Sequence, residues 1–344
     1  MKTKIINFLK YILFLGIGVF LAWWSLQQIP PDKWDEFKLS LRTARFALLI
    51  PVFLILSTSH VLRSIRWKIL MQPMGYNPST INVFFAVMIG YLANLAVPRL
   101  GEVIRCTLLT RYEKIPTEKL LGTIVVERAI DIICLIIFFF IAFATQYQVV
   151  GDYGKQILLE LFTNKKGSFS FTKIIIGIVI LLIIITIIKL WFKRFSHLKI
   201  VIGFKKILSG VLEGLVSIKH LQQKSKFLWC TLGIWCLYVI GTWVGLQATQ
   251  GTEHLGLPVA ISALAFASLG MIATPGGIGA YAFFLAKVLE KNGVPYPIGF
   301  ANGTLQWFAQ FLLVVIVGFI CLGLIPWYNK KKDLIEEEAE EFGE

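Results

Sequence analysis

The sequence predicts an all-α, polytopic integral membrane protein with about six full transmembrane helices and two Pro/Gly-broken re-entrant helix pairs, arranged as an inverted repeat. Three observations lead there. Of 344 residues, 56% are hydrophobic and 16% charged, against about 25% charged in soluble domains. Two long apolar segments are interrupted by proline and glycine. Basic residues gather in particular connections, and that pattern orients the spans. A cytosolic globule of this length could not hide so much apolar surface.

The apolar segments are 8–29, 46–62, 81–97, 121–147, 173–192, 227–248, 257–291 and 298–325. The first follows Lys2, Lys4 and Lys10. Its run from Tyr11 to Leu26 is longer than a signal-peptide core and ends in Trp23-Trp24 and Ile29-Pro30-Pro31, without a small-residue cleavage site. It reads as an uncleaved transmembrane helix. Segment 81–97 stops at Pro98-Arg99-Leu100-Gly101, and segment 257–291 is divided by Pro275-Gly276-Gly277-Ile278-Gly279. Proline removes a helix donor and glycine loosens the backbone, so both sites are expected breaks between half-helices.

Orientation follows from charge. The N-terminal lysines, the 193–226 connection with eight basic residues and one acid, and Lys330-Lys331-Lys332 all favour the cytoplasm. The connections 30–45, 148–172 and 249–256 suit the outside. Six spans plus two re-entrant hairpins satisfy every cluster and place both termini in the cytoplasm. Fully crossing pairs at the two breaks give the same polarity, so that alternative stays open.

The order span, broken pair, span occurs twice, and Pro98 and Pro275 stand 177 residues apart. Inverted repeats with broken helices at the midplane are a transporter architecture. Residues 1–330 then form a single transmembrane domain. It comprises the first helix and an external connection (1–45), repeat 1 (46–147), a connection holding one span and a cytoplasmic amphipathic helix (148–226), and repeat 2 (227–325). An acidic cytoplasmic tail follows (331–344). The amphipathic helix is read from Ile200, Phe204, Leu208, Val211 and Leu215 at helical spacing, punctuated by Lys199, Lys205, Lys206 and Lys219.

Lys and Arg number 34 and Asp and Glu 20, a net charge of +14. In a soluble chain this would suggest nucleic acid; here the charge flanks apolar segments, where it reads as topology and attraction to anionic headgroups. The expected partners are membrane lipids with anionic headgroups, and not nucleic acid; a homodimer is compatible. Five cysteines without a C-x-x-C pair and four scattered histidines offer no metal constellation. No P-loop occurs. No cofactor and no metal are expected.

Charges inside hydrocarbon cost about 2.5–3.5 kcal/mol on insertion scales and need a reason. Glu127, Arg128 and Asp131 open an apolar helix, with Glu127 and Asp131 on one face and Arg128 able to pair with them. Arg99, Glu102 and Arg105 cluster at the first break, where Glu102 can pair with either arginine and leave one guanidinium free for phosphate oxygens. Asn94 can add a polar contact, and the amides of the half-helix beginning there favour an anion. Arg63 and Arg66, with Lys68, are explained by positive-inside anchoring. Pro275, Gly276, Gly277 and Gly279 permit close backbone approach, with half-helix amides again free.

In this order, Arg63-Ser64-Ile65-Arg66-Trp67, Asn94 through Arg105, Glu127-Arg128-Ala129-Ile130-Asp131 and Pro275-Gly276-Gly277-Ile278-Gly279 resemble the membrane domain of the lysylphosphatidylglycerol synthase/flippase family, over nearly the whole chain. The resemblance implies a flippase-like domain in the cytoplasmic membrane acting on lipids or lipid-linked substrates. Relatives that synthesise aminoacylated lipid carry a soluble transferase domain after the membrane region, and this chain stops about 19 residues beyond its last expected span, so it is not expected to be an enzyme. Some relatives place a carboxylate just after the second break, where this chain has Ala280, Tyr281 and Ala282.

The leading expectation is a translocator of an anionic lipid or lipid-linked substrate. The alternatives are a secondary transporter of a small anionic solute and a membrane-embedded transferase using a lipid-linked donor. The last would need Asp32, Asp35 and Glu36, or Glu127 and Asp131, as its acids.

Overall fold

A computed structural model describes residues 16, 18–97, 100–147 and 221–341. Pro98 and Arg99, the expected span 173–192, the external connection 148–172, the amphipathic helix and most of the basic 193–226 connection lie outside the described residues. Every regular element among those described is helical.

Residues 18–27 form α1. The connection expected as a plain external segment carries a short amphipathic helix, α2 (Trp34–Arg42), whose Phe37 is buried against Phe300. The first half continues as α3 (Leu49–Met71), α4 (Thr80–Ala96), α5 (Leu100–Glu113) and α6 (Thr117–Thr145). The second half is α7 (Lys224–Leu246), α8 (Leu257–Ala273), α9 (Ala280–Lys291) and α10 (Tyr296–Glu341). The segment expected to stop at residue 62 continues as helix through Met71, because Arg63 and Arg66 are buried among partners. Likewise α10 runs past residue 325 and through Pro326 to Glu341, so the acidic tail is largely helical.

Corresponding helices match in length: α3 and α7 have 23 residues each, α4 and α8 have 17 each. Among the described residues, three long helical stretches have the length and apolarity of spans, Phe46–Met74, Lys224–Leu246 and Tyr296–Lys332. At 1.5 Å per residue, α4 and α8 reach about 25 Å, short of the ~30 Å hydrocarbon core.

Packing recurs between the halves. α3 packs on α4 as α7 does on α8; α5 packs on α6 as α9 does on α10; α6 crosses to α8 as α10 crosses to α4. The first helices, α3 and α7, lie side by side and antiparallel: Gly241 meets Ile55, Gly233 meets Leu62, and Arg45 pairs with Glu253 at the end where α3 begins and α7 stops. Lipid tails are as apolar as leucine, so such contacts rest on close van der Waals packing at small residues. Gly90 and Gly101 are the sharpest case. A Cβ on Gly101 would fall onto the Gly90 carbonyl and 2.8 Å from Asn94 Cγ.

The two breaks meet. Leu95, at the end of α4, lies against Gly276, and Gly276, Gly277 and Gly279 all have positive φ (60°, 74° and 72°). Only glycine takes such turns without strain. Gly279 backs directly onto Ala22 of α1, which leaves no room for a side chain.

Candidate functional site

Three arginines and two carboxylates converge between α3, α5 and α6. Arg63 and Arg66 are three residues apart on α3, and Glu127 and Asp131 four apart on α6, so each pair shares a helix face. Arg63 Nη1 donates to Glu127 Oε1 at 2.7 Å and to Asp131 Oδ2 at 2.8 Å; its Nη2 donates to Tyr238 of α7 at 3.1 Å. Arg66 Nη2 donates to Asp131 Oδ1 at 2.8 Å and lies 3.7 Å from Glu127. Arg105 Nη2 donates to Glu127 Oε2 at 2.8 Å, and its guanidinium sits 4.5 Å above the Trp67 ring. Trp67 is held by its indole N–H on Thr123 Oγ1. The side chains of Arg66 and Glu127 are fully buried, and Asp131 is 16% exposed.

These contacts correct the expected pairing in three places. Arg128 makes its close ion pair not with Glu127 or Asp131 but with Glu102, its Nε 3.5 Å away across a half-exposed rim. Glu102 therefore does not hold Arg105, which turns inward to Glu127. Arg63 and Arg66 are the inner side of the network and not interfacial anchors. Their charge is retained in the interior because two carboxylates from another helix meet it. Helix-local spacing suggested the pairings i,i+1 and i,i+3; the strong ones bridge residues 22 to 68 apart in sequence. Lys68, by contrast, reaches Thr80 at 3.4 Å.

The inner network holds three guanidinium charges against two carboxylates, an excess of one positive charge. Arg63 Nε, Arg66 Nε and Nη1, and Arg105 Nε are buried without a hydrogen-bond partner. Buried donors of this kind call for water or a ligand. Beside Arg105 lies a narrow cleft with room for about one water molecule, lined by Tyr91, Asn94, Gly101, Glu102, Arg105 and Arg128, with Val87 and Gly90. Asn94 uses its Oδ1 to accept from Gly101 N at 2.8 Å, which caps α5, so the part of Asn94 left for the cleft is its Nδ2 amide. That cap removes one of the half-helix amides expected to be free.

The second break is apolar and filled. Trp307 donates its indole N–H to Gly276 O at 2.7 Å, and Gly277 N and Ile278 N bond within the turn. Pro275, Gly276, Gly277 and Gly279 thus join the first break through Leu95 and not through the ion network. Sequence reasoning missed His60, Tyr91 and Tyr238. His60 lies one turn before Arg63, is buried with neither ring nitrogen partnered, and packs against Tyr91 with centroids 5.1 Å apart. A histidine three residues before a buried arginine was the available signal. Among the described residues no group of His, Cys, Asp and Glu is disposed to hold a metal.

The profile of the lysylphosphatidylglycerol synthase TM region matches residues 11–333. The UPF0104 membrane protein MJ1595 of Methanocaldococcus jannaschii is 25% identical over 355 residues, covering 96% of this chain and 99% of that protein. No solved structure matches the chain.

Proposed function

We propose a lipid-translocating role for this chain, which belongs to the family of the lysylphosphatidylglycerol synthase TM region. An anionic, phosphate-bearing headgroup enters the cleft beside Arg105 and Arg128 while the acyl tails remain in the bilayer. The observation that carries this reading is the buried excess positive charge, with unpartnered guanidinium N–H groups behind a cleft. Phosphate oxygens match that fork geometry and complete the charge balance.

The rim favours a lipid over a soluble anion. Val97, Leu100 and Val103 beside the cleft are 39%, 38% and 51% exposed, an apolar border suited to acyl chains. In this reading α4–α5 and α8–α9 are re-entrant hairpins of an inverted repeat, supported by their short lengths, the meeting of their tips and the antiparallel α3–α7 pair. Both termini face the cytoplasm of the cell membrane. The chain makes and breaks no covalent bond itself.

The test is reconstitution in vesicles with a fluorescent anionic phospholipid, normalised to folded protein. Arg105→Lys and Arg128→Lys should each lower lipid movement, because an ammonium cannot reproduce the fork; Glu102→Gln should alter it without matching either. Full movement in both lysine variants and in both alanine variants would remove the phosphate site. Soluble glycerophosphate that is itself carried into the vesicles would shift the assignment to a solute transporter.

A further inference from the structure

Two reciprocal amide pairs stand at opposite ends of the helix bundle. Asn82, in the first turn of α4, donates Nδ2 to Asn329 Oδ1 at 2.8 Å, and Asn329 of α10 returns Nδ2 to Asn82 Oδ1 at 2.9 Å. Asn82 also donates to Glu113 Oε1 at 2.6 Å, the same oxygen that accepts from Ser79 N at 3.1 Å, and Ser79 and Tyr328 share a hydroxyl contact at 3.0 Å. At the other end Gln146, which caps α6, donates Nε2 to Asn292 Oδ1 at 3.1 Å and accepts from Asn292 Nδ2 at 3.4 Å.

The two pairs have corresponding places. Glu113 ends α5 and Asn292 caps α9. In each case the long helix of one repeat is fastened to the open end of the other repeat's hairpin: α10 to α4–α5, and α6 to α9. Asn82 and Asn329 are buried, and Gln146 is nearly so. The reciprocal amide bonds are neutral and exchange with water at small net cost, although Asn82 also holds the Glu113 carboxylate; each pair therefore opens more easily than the charged network between them. A hairpin that tilts against its facing long helix separates one pair and leaves the other closed.

We infer that these pairs are the alternating latches of access to the central cleft, Asn82–Asn329 closing the face where α4 begins and Gln146–Asn292 closing the opposite face. The inference rests on the translocator reading. Both latches are closed in this structure. The first also engages Glu113, Ser79 and Tyr328, and the bonds of the second are longer, at 3.1 and 3.4 Å.

The experiment uses the full chain in vesicles, with its five cysteines replaced by alanine and Val87→Cys as reporter. Val87 lines the cleft and is 1% exposed. A membrane-impermeant thiol reagent is applied from each side in turn. Asn82→Ala with Asn329→Ala should speed modification from the first face and slow it from the second. The change should be about tenfold or more, the scale of two neutral hydrogen bonds removed from one side of a two-state balance, with the Asn82–Glu113 bond lost in addition. Gln146→Ala with Asn292→Ala should give the mirror result, and Gln146→Asn with Asn292→Gln, which keeps an amide pair, should restore the parent rates.

Faster modification from both faces in both variants, or no change in either, would overturn the latches and leave two structural staples. If the cysteine-free chain does not fold, hydrogen exchange on the native-cysteine protein decides. Breaking one pair must then protect the opposite hairpin end, and purely local loosening overturns the inference. The readout does not measure lipid movement. Mirror-image accessibility without lipid movement would therefore refute the lipid reading alone, and lipid movement with symmetric accessibility would refute the latches alone.

Discussion

Glu127 is the residue on which the interior depends most, and Glu127→Gln measures that dependence. Its carboxylate is fully buried and accepts from Arg63 at 2.7 Å and Arg105 at 2.8 Å, with Arg66 at 3.7 Å. Glutamine keeps the volume but removes the charge, and turns an N–H₂ group toward one of the guanidinium groups. The buried excess then rises from one positive charge to two, with Asp131 the single remaining anion of the inner network. Removing one partner of a buried ion pair costs about 3–5 kcal/mol, and two charge-assisted hydrogen bonds at about 1.5–3 kcal/mol each give the same range. The assay is reversible unfolding in mixed micelles, followed by tryptophan fluorescence. Asp131→Asn should cost less, because Asp131 is partly exposed and water can take over one oxygen. A Glu127→Gln loss below about 1 kcal/mol would refute the reasoning, since it would mean that the three arginines are solvated and not buried.

Further outcomes are expected elsewhere. Alanine at Glu102 or Arg128 removes a half-exposed pair at 3.5 Å, so stability should change by about 1 kcal/mol or less while lipid movement per folded molecule falls. Gly101→Ala drives a methyl into the Gly90 carbonyl and should cost about 1–3 kcal/mol or more in the same unfolding assay. Gly122→Ala on α6, where nothing lies within 4 Å, should be neutral or stabilising by up to about 1 kcal/mol. Glu253, in the loop after α7, is held below the usual carboxylate range by its own backbone amide, then by the Gly251 N–H at 2.7 Å and Arg45, against opposing burial. Its contribution is complete above the unfolded carboxylate value and lost as pH falls through the lower folded value. Melting curves should therefore show the parent losing its advantage over Glu253→Gln on acidification through that window.

The helices were legible because hydrophobic length and Pro/Gly interruption are local properties. The separate helices ending at Ala96 and beginning at Leu100, the turn at 274–279 and the two matching series of helices followed from them. The pairing of charges was not legible, because it depends on which helices become neighbours. Arg63 and Arg66 looked like interfacial anchors from one helix alone, and only the approach of α6 turns them into the partners of Glu127 and Asp131. The rim pair Glu102–Arg128 was missed for the same reason. α2 escaped notice because nine residues of mixed polarity, Trp34–Arg42, carry too little apolar length to stand out. Its helix is held by Phe37 against Phe300, a contact 263 residues distant.

The inverted-repeat reading has a consequence for where the charge sits. Corresponding helices begin 175 residues apart for α3 and α7, Leu49 against Lys224, and 179 apart for α6 and α10, Thr117 against Tyr296. The first offset carries Arg63 onto Tyr238, and the second carries Glu127 onto Gln306 and Asp131 onto Gln310. At these three positions the second half holds neutral polar residues, while the same α3 offset carries Arg66 onto Gly241 and the α5–α9 offset carries Arg105 onto Leu285. Arg63 donates to Tyr238, its own counterpart, at 3.1 Å, which places that contact close to the axis relating the halves. Gln306 donates to Asn302, which donates in turn to Gly245 O and Thr249, so the second site is closed by neutral hydrogen bonds. The ion network thus lies in the first half, and the corresponding contacts of the second half are neutral. Introducing the missing ion, Gln306→Glu, would bury an unpartnered carboxylate beside Gly245, and it should destabilise repeat 2 in the unfolding assay far more than Gln306→Leu does.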